Sequence, residues 1–248
     1  MVLKLDFEKA YDRVSWTFLF DLLHSRNFHP LLISWIKQIV VGGSISIMLN
    51  GEDSSSFKTG KGLRQGDPLS PCLFNLVGDD LAKMLVKATN KGIIRGLLED
   101  FRPGGIMSLQ YADDTILFVK AEESVLTNLK CVLMWYEQIF GMRINFHKSE
   151  IVPLNLEQSE AHRLAHILSC PLGSFSIKYL GVPLHYNKLS REDIQPLVDK
   201  ILKKIGGWRG RLLSLAARAM IIKTYLASIP VYLLSFIKFP KWAICRKS

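Results

Sequence analysis

The chain has 248 residues, 48% of them hydrophobic, and a formal net charge of +10; this excludes a disordered chain and points to a globular protein facing a polyanion such as nucleic acid. Its cysteines, Cys72, Cys131, Cys170 and Cys245, are scattered without CxxC or Cys/His spacing, which argues against a structural zinc site or a disulfide framework and for a reducing intracellular setting, nucleus or cytoplasm. The first residues acquire acids at once and lack a long apolar stretch, so secretion is not expected.

In chain order, MVLKLDF is an apolar run that stops on Asp6, the pattern of a buried strand ending at an acid. WTFLFDLLHSRNFHPLLISWIKQIV has helical spacing and divides near Pro30 into two helices. SISIMLN and SSSFKTG flank Asn50-Gly51, a hairpin turn signal. GLRQGDPLSP is a Gly/Pro-rich loop, followed by a helix of about twenty residues opened by prolines.

Within that helix Asp80 sits on the apolar face marked by residues 73, 76, 77, 81, 84 and 85. Buried and unpaired, it would cost several kcal/mol; the alternatives are a place at the face's edge or a sequence no longer under selection. SLQYADDTILF reads as a second hairpin with Asp113 and Asp114 at its tip. EESVLTNLKCVLMWYEQIF is a helix capped by Gly141, and RINF and SIKYLGVPL are strands.

Ser190 opens an S-R-E-D capping box and a basic helix running to Gly206 and Gly207. AMIIKTYLASIPVYLLSFIKF, broken by Lys223 and Pro230, is expected to be a buried helix and strand and not a membrane span. From Lys178 onward fourteen Lys or Arg face three acids, whereas residues 1–177 hold eighteen bases and nineteen acids. The positive charge therefore belongs to the last third, either as solvated helix faces or as a polyanion-binding surface. The class is α+β, an antiparallel sheet with helices packed on it, and the basic helical stretch after residue 186 forms a second unit.

Adjacent carboxylates repel, and a turn holds both ionised favourably only beside a cation; alone, Asp113-Asp114 would be an ordinary solvated turn. Asp6 adds a third carboxylate if its strand lies beside the hairpin. Oxygen donors without His or Cys favour Mg²⁺, with Mn²⁺ as a substitute. Two such ions would stabilise the attacking and leaving oxygens of an in-line phosphoryl displacement.

LKLDFEKAYDRVSW, GLRQGDPLSPCLFNLV, LQYADDTILF, GMRINFHKSEI and YLGVPL, in that order, resemble the successive palm motifs of reverse transcriptases, most closely those of plant-type non-LTR, LINE-type retrotransposons. RLLSLAARAMIIKTYLASIPVYLLSFIKFPKW is similar to the thumb segment of the same elements. The resemblance implies a palm over residues 1–186, a partial thumb and connection over 187–248, and largely absent fingers. It implies an RNA-directed DNA polymerase domain that joins a dNTP to the 3′-OH of a DNA primer on an RNA template, without a membrane partner.

Residue by residue, the resemblance makes Asp6, Asp113 and Asp114 the metal-binding catalytic carboxylates and Lys148 the lysine near the leaving pyrophosphate, a candidate general acid. Tyr11 falls under the sugar of the incoming nucleotide, where its ring would clash with a 2′-OH; otherwise it is a packing tyrosine. Arg64, Gln65 and Gly66 match the loop against the incoming nucleotide and template. Tyr179, Leu180 and Gly181 match the primer-gripping hairpin, and Lys203, Lys204, Arg209, Arg211 and Arg218 would meet the duplex backbone.

Family members carry fingers and an endonuclease upstream, expected on the same ancestral polyprotein, and the isolated chain is expected to show little or no primer extension. Three other readings compete. One is a catalytically inactive relic or domesticated palm and thumb that only binds nucleic acid. A nucleotide cyclase is disfavoured by the LRQGDPLSP loop and the basic thumb. A group II intron reverse transcriptase is disfavoured modestly by FEKAYDRVSW and FHKSEI.

Overall fold

The computed structural model describes residues 1–97, 105, 107–174, 177–184, 191–206, 213–236 and 238–239. The chain divides into two units, Met1–Ser174 and Phe175–Ser248. The boundary expected at residue 186 lies outside the described residues.

The first unit is organised by strand β1 (Val2–Leu5), followed by β2 (Phe7–Glu8) and the short helix α1 (Ala10–Arg13). Helices α2 (Trp16–Ser25) and α3 (Pro30–Val41) come next, separated as Pro30 predicts. The Ser15 side chain accepts from Phe18 N–H to open α2, and Pro30 occupies the first turn of α3, where a missing N–H costs nothing. Strands β3 (Ser44–Ile45) and β6 (Phe57–Lys58) pair around the inner hairpin β4 (Met48–Leu49) and β5 (Glu52–Asp53). Asn50 and Gly51 at its turn both have positive φ, 52° and 88°, the geometry an Asn-Gly hairpin needs.

After α4 (Ser70–Asn90) come β7 (Ser108–Tyr111), β8 (Asp114–Phe118) and α5 (Glu123–Phe140), the last ending at Gly141 with φ 77°. Strands β9 (Arg143–Ile144) and β10 (Glu150–Val152) and helix α6 (Gln158–Leu168) complete the unit. Helix α6 was not anticipated, although its buried residues Ala161, Leu164, Ala165 and Leu168 fall at helical spacing.

The main sheet is antiparallel throughout, in the order β10-β1-β8-β7. Leu3 and Leu5 of β1 and Leu117 of β8 are buried in the same core as Leu81 and Leu85 of α4 and Leu126, Leu129 and Leu133 of α5. Each such leucine contributes about 1.5–3 kcal/mol of burial, and together they fix the sheet whose edge carries the acids.

Asp80 lies at the margin of the buried face of α4 and is paired. Its carboxylate accepts from the Arg26 guanidinium at 2.6 Å and from Lys83 at 3.3 Å, and its side chain keeps 17% of its surface. Arg26 also donates to Asp79 at 3.1 Å and to the Leu76 carbonyl at 3.2 Å. The penalty for a buried, unpartnered carboxylate therefore does not arise, and Asp80 ties α4 to the end of α2.

The second unit contains the hairpin β11 (Ile177–Tyr179) and β12 (Val182–Leu184), helix α7 (Arg191–Gly206), and helices α8 (Leu215–Ile221) and α9 (Ser228–Leu234) joined by a π-helical stretch, Ile222–Leu226. The expected buried helix and strand are thus replaced by helix from Leu215 to Leu234, none of it buried. Pro230 removes only the N–H that would reach Leu226, and just upstream the ladder widens, with Ala227 N–H donating to the Ile222 carbonyl at 2.9 Å. By length and composition alone this 20-residue helix could cross a membrane.

Candidate functional site

The sheet register carries Asp6 to the hairpin of acids. Strand β1 runs antiparallel to β8 with Leu5 opposite Thr115, so Asp6 and Asp114, the next position on each strand, leave the sheet at the same end. Tyr111 pairs with Asp114, and a two-residue turn, Ala112-Asp113, closes the hairpin. Ala112 is held at φ +54°, a conformation that costs a non-glycine residue about 1 kcal/mol and recurs at functional turns. Asp113 is exposed at the tip and Asp6 and Asp114 are half-buried.

Asp6 sits where the chain changes partners, between β1, which pairs with β10, and β2, which pairs with β9. The turn from Asn145 to Ser149 takes over its backbone groups. Asp6 N–H donates to Ser149 Oγ at 3.0 Å, and Asn145 N–H donates to the Asp6 carbonyl at 2.8 Å. The same turn carries Lys148, an exposed side chain whose own N–H donates to the Asn145 carbonyl and side chain.

Tyr11 enters from α1. Its ring stacks on Phe74 of α4, with centroids 4.4 Å apart and planes 6° from parallel. Burial, and then the charge of Asp113, raise its hydroxyl above the ordinary tyrosine value, so the ring shares its surroundings with the acidic tip. The loop before α4 is strapped to the same helix. Leu63 N–H donates to the Tyr11 carbonyl at 2.7 Å, Gly62 N–H to the Val14 carbonyl at 2.8 Å, and Trp16 Nε1 to the Gly62 carbonyl at 2.6 Å. Gly62 has φ +90°, and a β-carbon there would lie 2.6 Å from the Asp12 carbonyl oxygen, so only glycine permits this approach.

Arg64 and Gln65 line a cavity of about 620 Å³ together with Asp12, Lys61 and Asp67, whereas Tyr11 lines a separate groove with Tyr111 and Ala112. The Arg64 guanidinium donates to the Ile39 carbonyl at 3.3 Å at the end of α3, which anchors the loop. Lys61 and Asp67 were not singled out from the sequence; Asp67 also accepts from Leu69 N–H at 2.9 Å and so shapes the start of α4. A second groove, about 590 Å³, runs along α4 past Asn75, Gly78 and Asp79 to Gln110 and Tyr111. The Gln110 amide lies where a side chain at Gly78 would stand, and Tyr111 is 66% exposed beside it.

The donor set is all oxygen, which suits a hard divalent cation. Among the described residues, no three His, Cys, Asp or Glu side chains converge as a ready-made metal cluster.

In the second unit, Tyr179, Leu180 and Gly181 form the turn of the β11–β12 hairpin, with Leu180 at φ +50° and Gly181 at +78°. Leucine is an unusual occupant of that position. Tyr232 of α9 donates its hydroxyl to the Leu180 carbonyl at 2.5 Å, and Phe236 packs edge-on against the Tyr232 ring. Lys203 and Lys204 are exposed in the last turn of α7, and Arg218 is exposed on α8. Arg209 and Arg211 lie outside the described residues.

Known proteins similar to this chain include retrotransposon proteins and telomerase. A 149 kDa protein of transposon TX1 from Xenopus laevis is 29% identical over 231 residues, 91% of this chain and 17% of that protein. The Pol polyprotein of the type-2 retrotransposable element R2DM of Drosophila melanogaster is 26% identical over 215 residues, 82% of this chain and 20% of its own length. The chain thus spans about a fifth of these relatives. Telomerase from Candida albicans, solved with a fragment of telomeric RNA, shares the fold with a TM-score of 0.52 at 12% identity, covering 99% of this chain and 41% of that one. The family model for reverse transcriptase (RNA-dependent DNA polymerase) matches residues 1–184, and the chain belongs to that family.

Proposed function

We propose that the chain is the palm and partial thumb of a retrotransposon polymerase that extends a DNA primer on an RNA template inside the cell. The observation that carries this reading is the arrival of Asp6, Asp113 and Asp114 at one end of the sheet, beside Tyr11 and the loop it straps down. The palm comprises residues 1–186 and the thumb segment 187–248.

The dNTP sits between Tyr11 and the loop Arg64–Gly66, where the flat Tyr11 ring, immobilised on Phe74, leaves no room for a 2′-OH. Asp6, Asp113 and Asp114 would hold divalent cations, Mg²⁺ or Mn²⁺, as an all-oxygen donor set suits. Such ions supply charge stabilisation to the attacking and leaving oxygens. The primer 3′-hydroxyl gives its proton to solvent water and its oxygen bonds to the α-phosphorus as the bond to pyrophosphate breaks, and the Lys148 ammonium gives a proton to the departing group. The Tyr179–Gly181 turn holds the primer end, and the basic residues of α7 and α8 contact the duplex backbone.

A second reading, a palm and thumb that binds nucleic acid without turnover, is favoured by the lack of a converging three-ligand cluster among the described residues. Primer extension on an RNA template with Mg²⁺ or Mn²⁺ separates the two. The polymerase reading predicts weak but measurable dNTP incorporation that Asp113→Asn reduces by more than about 100-fold. Tight hybrid binding with no incorporation under either cation would establish the second reading.

A further inference from the structure

We infer that Ser149 is a positioning residue for the reaction: its hydroxyl fixes the backbone of Asp6 and thereby aims that carboxylate at the metal-binding edge. The inference rests on the reading of Asp6 as a metal-binding carboxylate.

Its basis is a closed ring of three hydrogen bonds. Ser149 Oγ accepts from Asp6 N–H at 3.0 Å and donates to the Asn145 carbonyl at 2.8 Å, while Asn145 N–H donates to the Asp6 carbonyl at 2.8 Å. Asp6 occupies a gap in strand pairing. Lys4 is opposite Glu150 and Phe7 is opposite Ile144, so five residues, 145–149, loop out against the junction between them. A backbone N–H left in such a gap needs a partner. A side-chain hydroxyl supplies it, standing where a neighbouring strand's carbonyl would otherwise be.

Ser149 is fully buried, so water does not compete for its hydroxyl, and both of its hydrogen-bonding roles are used. The ring leaves the Asp6 carboxylate out of these bonds and locks only the backbone from which it projects. It also joins Asp6 to Lys148, whose N–H donates to the same Asn145 carbonyl at 3.1 Å. The backbones of Asp6 and Lys148 are therefore held by one hydrogen-bonded turn, residues 145–149.

The test uses the full chain and two readouts. Hydrogen exchange of the Asp6 amide should accelerate at least about tenfold in Ser149→Ala, while the amides of Leu3 and Leu5 keep their protection. Half-saturation by Mn²⁺, followed by electron paramagnetic resonance, should rise about tenfold in the same variant, as expected when a residue supporting a metal ligand is removed. If Ser149→Ala does not fold, Ser149→Cys, close in size but a poor acceptor, should give the same two shifts.

Unchanged Asp6 exchange in a folded variant overturns the inference. So does Mn²⁺ affinity equal to wild type in Ser149→Ala when Asp6→Asn weakens it, an outcome that leaves the metal reading of Asp6 intact. Mn²⁺ binding that is indifferent to Asp6→Asn removes both the inference and the reading beneath it.

Discussion

In residues 1–174 the sheet buries Leu3, Leu117 and Ile151 completely, whereas in the helix Leu215–Leu234 of the second unit Leu215 is 81% and Met220 68% exposed. The acidic edge belongs to the first region and much of the basic surface to the second. A reacting centre needs its groups held within fractions of an ångström, and a strand buried among two neighbours and several helices provides that rigidity. A surface that follows a nucleic-acid duplex needs reach and charge more than rigidity. On the proposed function, its exposed apolar and basic side chains find partners in the duplex.

The largest effect that would break this contrast is a cavity. Leu117→Ala should cost about 2–5 kcal/mol in urea unfolding, while Met220→Ala should fall within about 0.5 kcal/mol. Equal losses would mean that Met220 is as well packed as the sheet. Next comes the tie between α2 and α4. Arg26→Ala leaves Asp79 and Asp80 with Lys83 as their remaining partner and should destabilise the first unit by about 1 kcal/mol, with Arg26→Lys recovering part of it because a single ammonium cannot match the guanidinium fork across both acids.

A comparable effect sharpens the contrast inside the second unit. Tyr232→Phe removes the hydroxyl that holds the Leu180 carbonyl and should weaken RNA·DNA binding by about 1 kcal/mol, roughly fivefold in Kd, without moving the unfolding transition of the first unit. The smallest is chemical. Burial pushes the Cys170 thiol up to about 11, whereas Cys72 and Cys131 are exposed. At pH 8 an alkylating reagent should label Cys72 and Cys131 in the native protein well before Cys170. Early labelling of Cys170 would show that the core beside α6 opens readily.

What could be read from the sequence was local. Asn50-Gly51, Gly141 and Pro30 announce their turn, cap and break because each acts through its own backbone angles. The hairpin around Asp113 and Asp114 was legible because acids interrupt an apolar run, and the order of the five motifs pointed to the family. The pairings that complete these features join residues far apart in sequence. Arg26 meets Asp80 across 54 positions, and Ser149 meets Asp6 across 143, with nothing in either neighbourhood to signal the other. Hydropathy misjudged the helix from Leu215 to Leu234 for a related reason, because apolar composition does not reveal whether a core is available to receive it. Helix α6 escaped notice because charged and polar residues dilute its stripe of Ala161, Leu164, Ala165 and Leu168.

The ring at Asp6 also has a bearing on synthesis. Strand β1 precedes both of its partners in the chain, Thr115–Phe118 on one side and Glu150–Val152 on the other. On the ribosome its N–H and C=O groups wait for more than a hundred residues before either neighbour emerges. Ser149, the residue that seals Asp6, arrives just before the second. Such distant closure makes folding slow and leaves an apolar strand open to wrong partners in the interval, so folding depends on what shields Val2–Leu5 until the sheet can close.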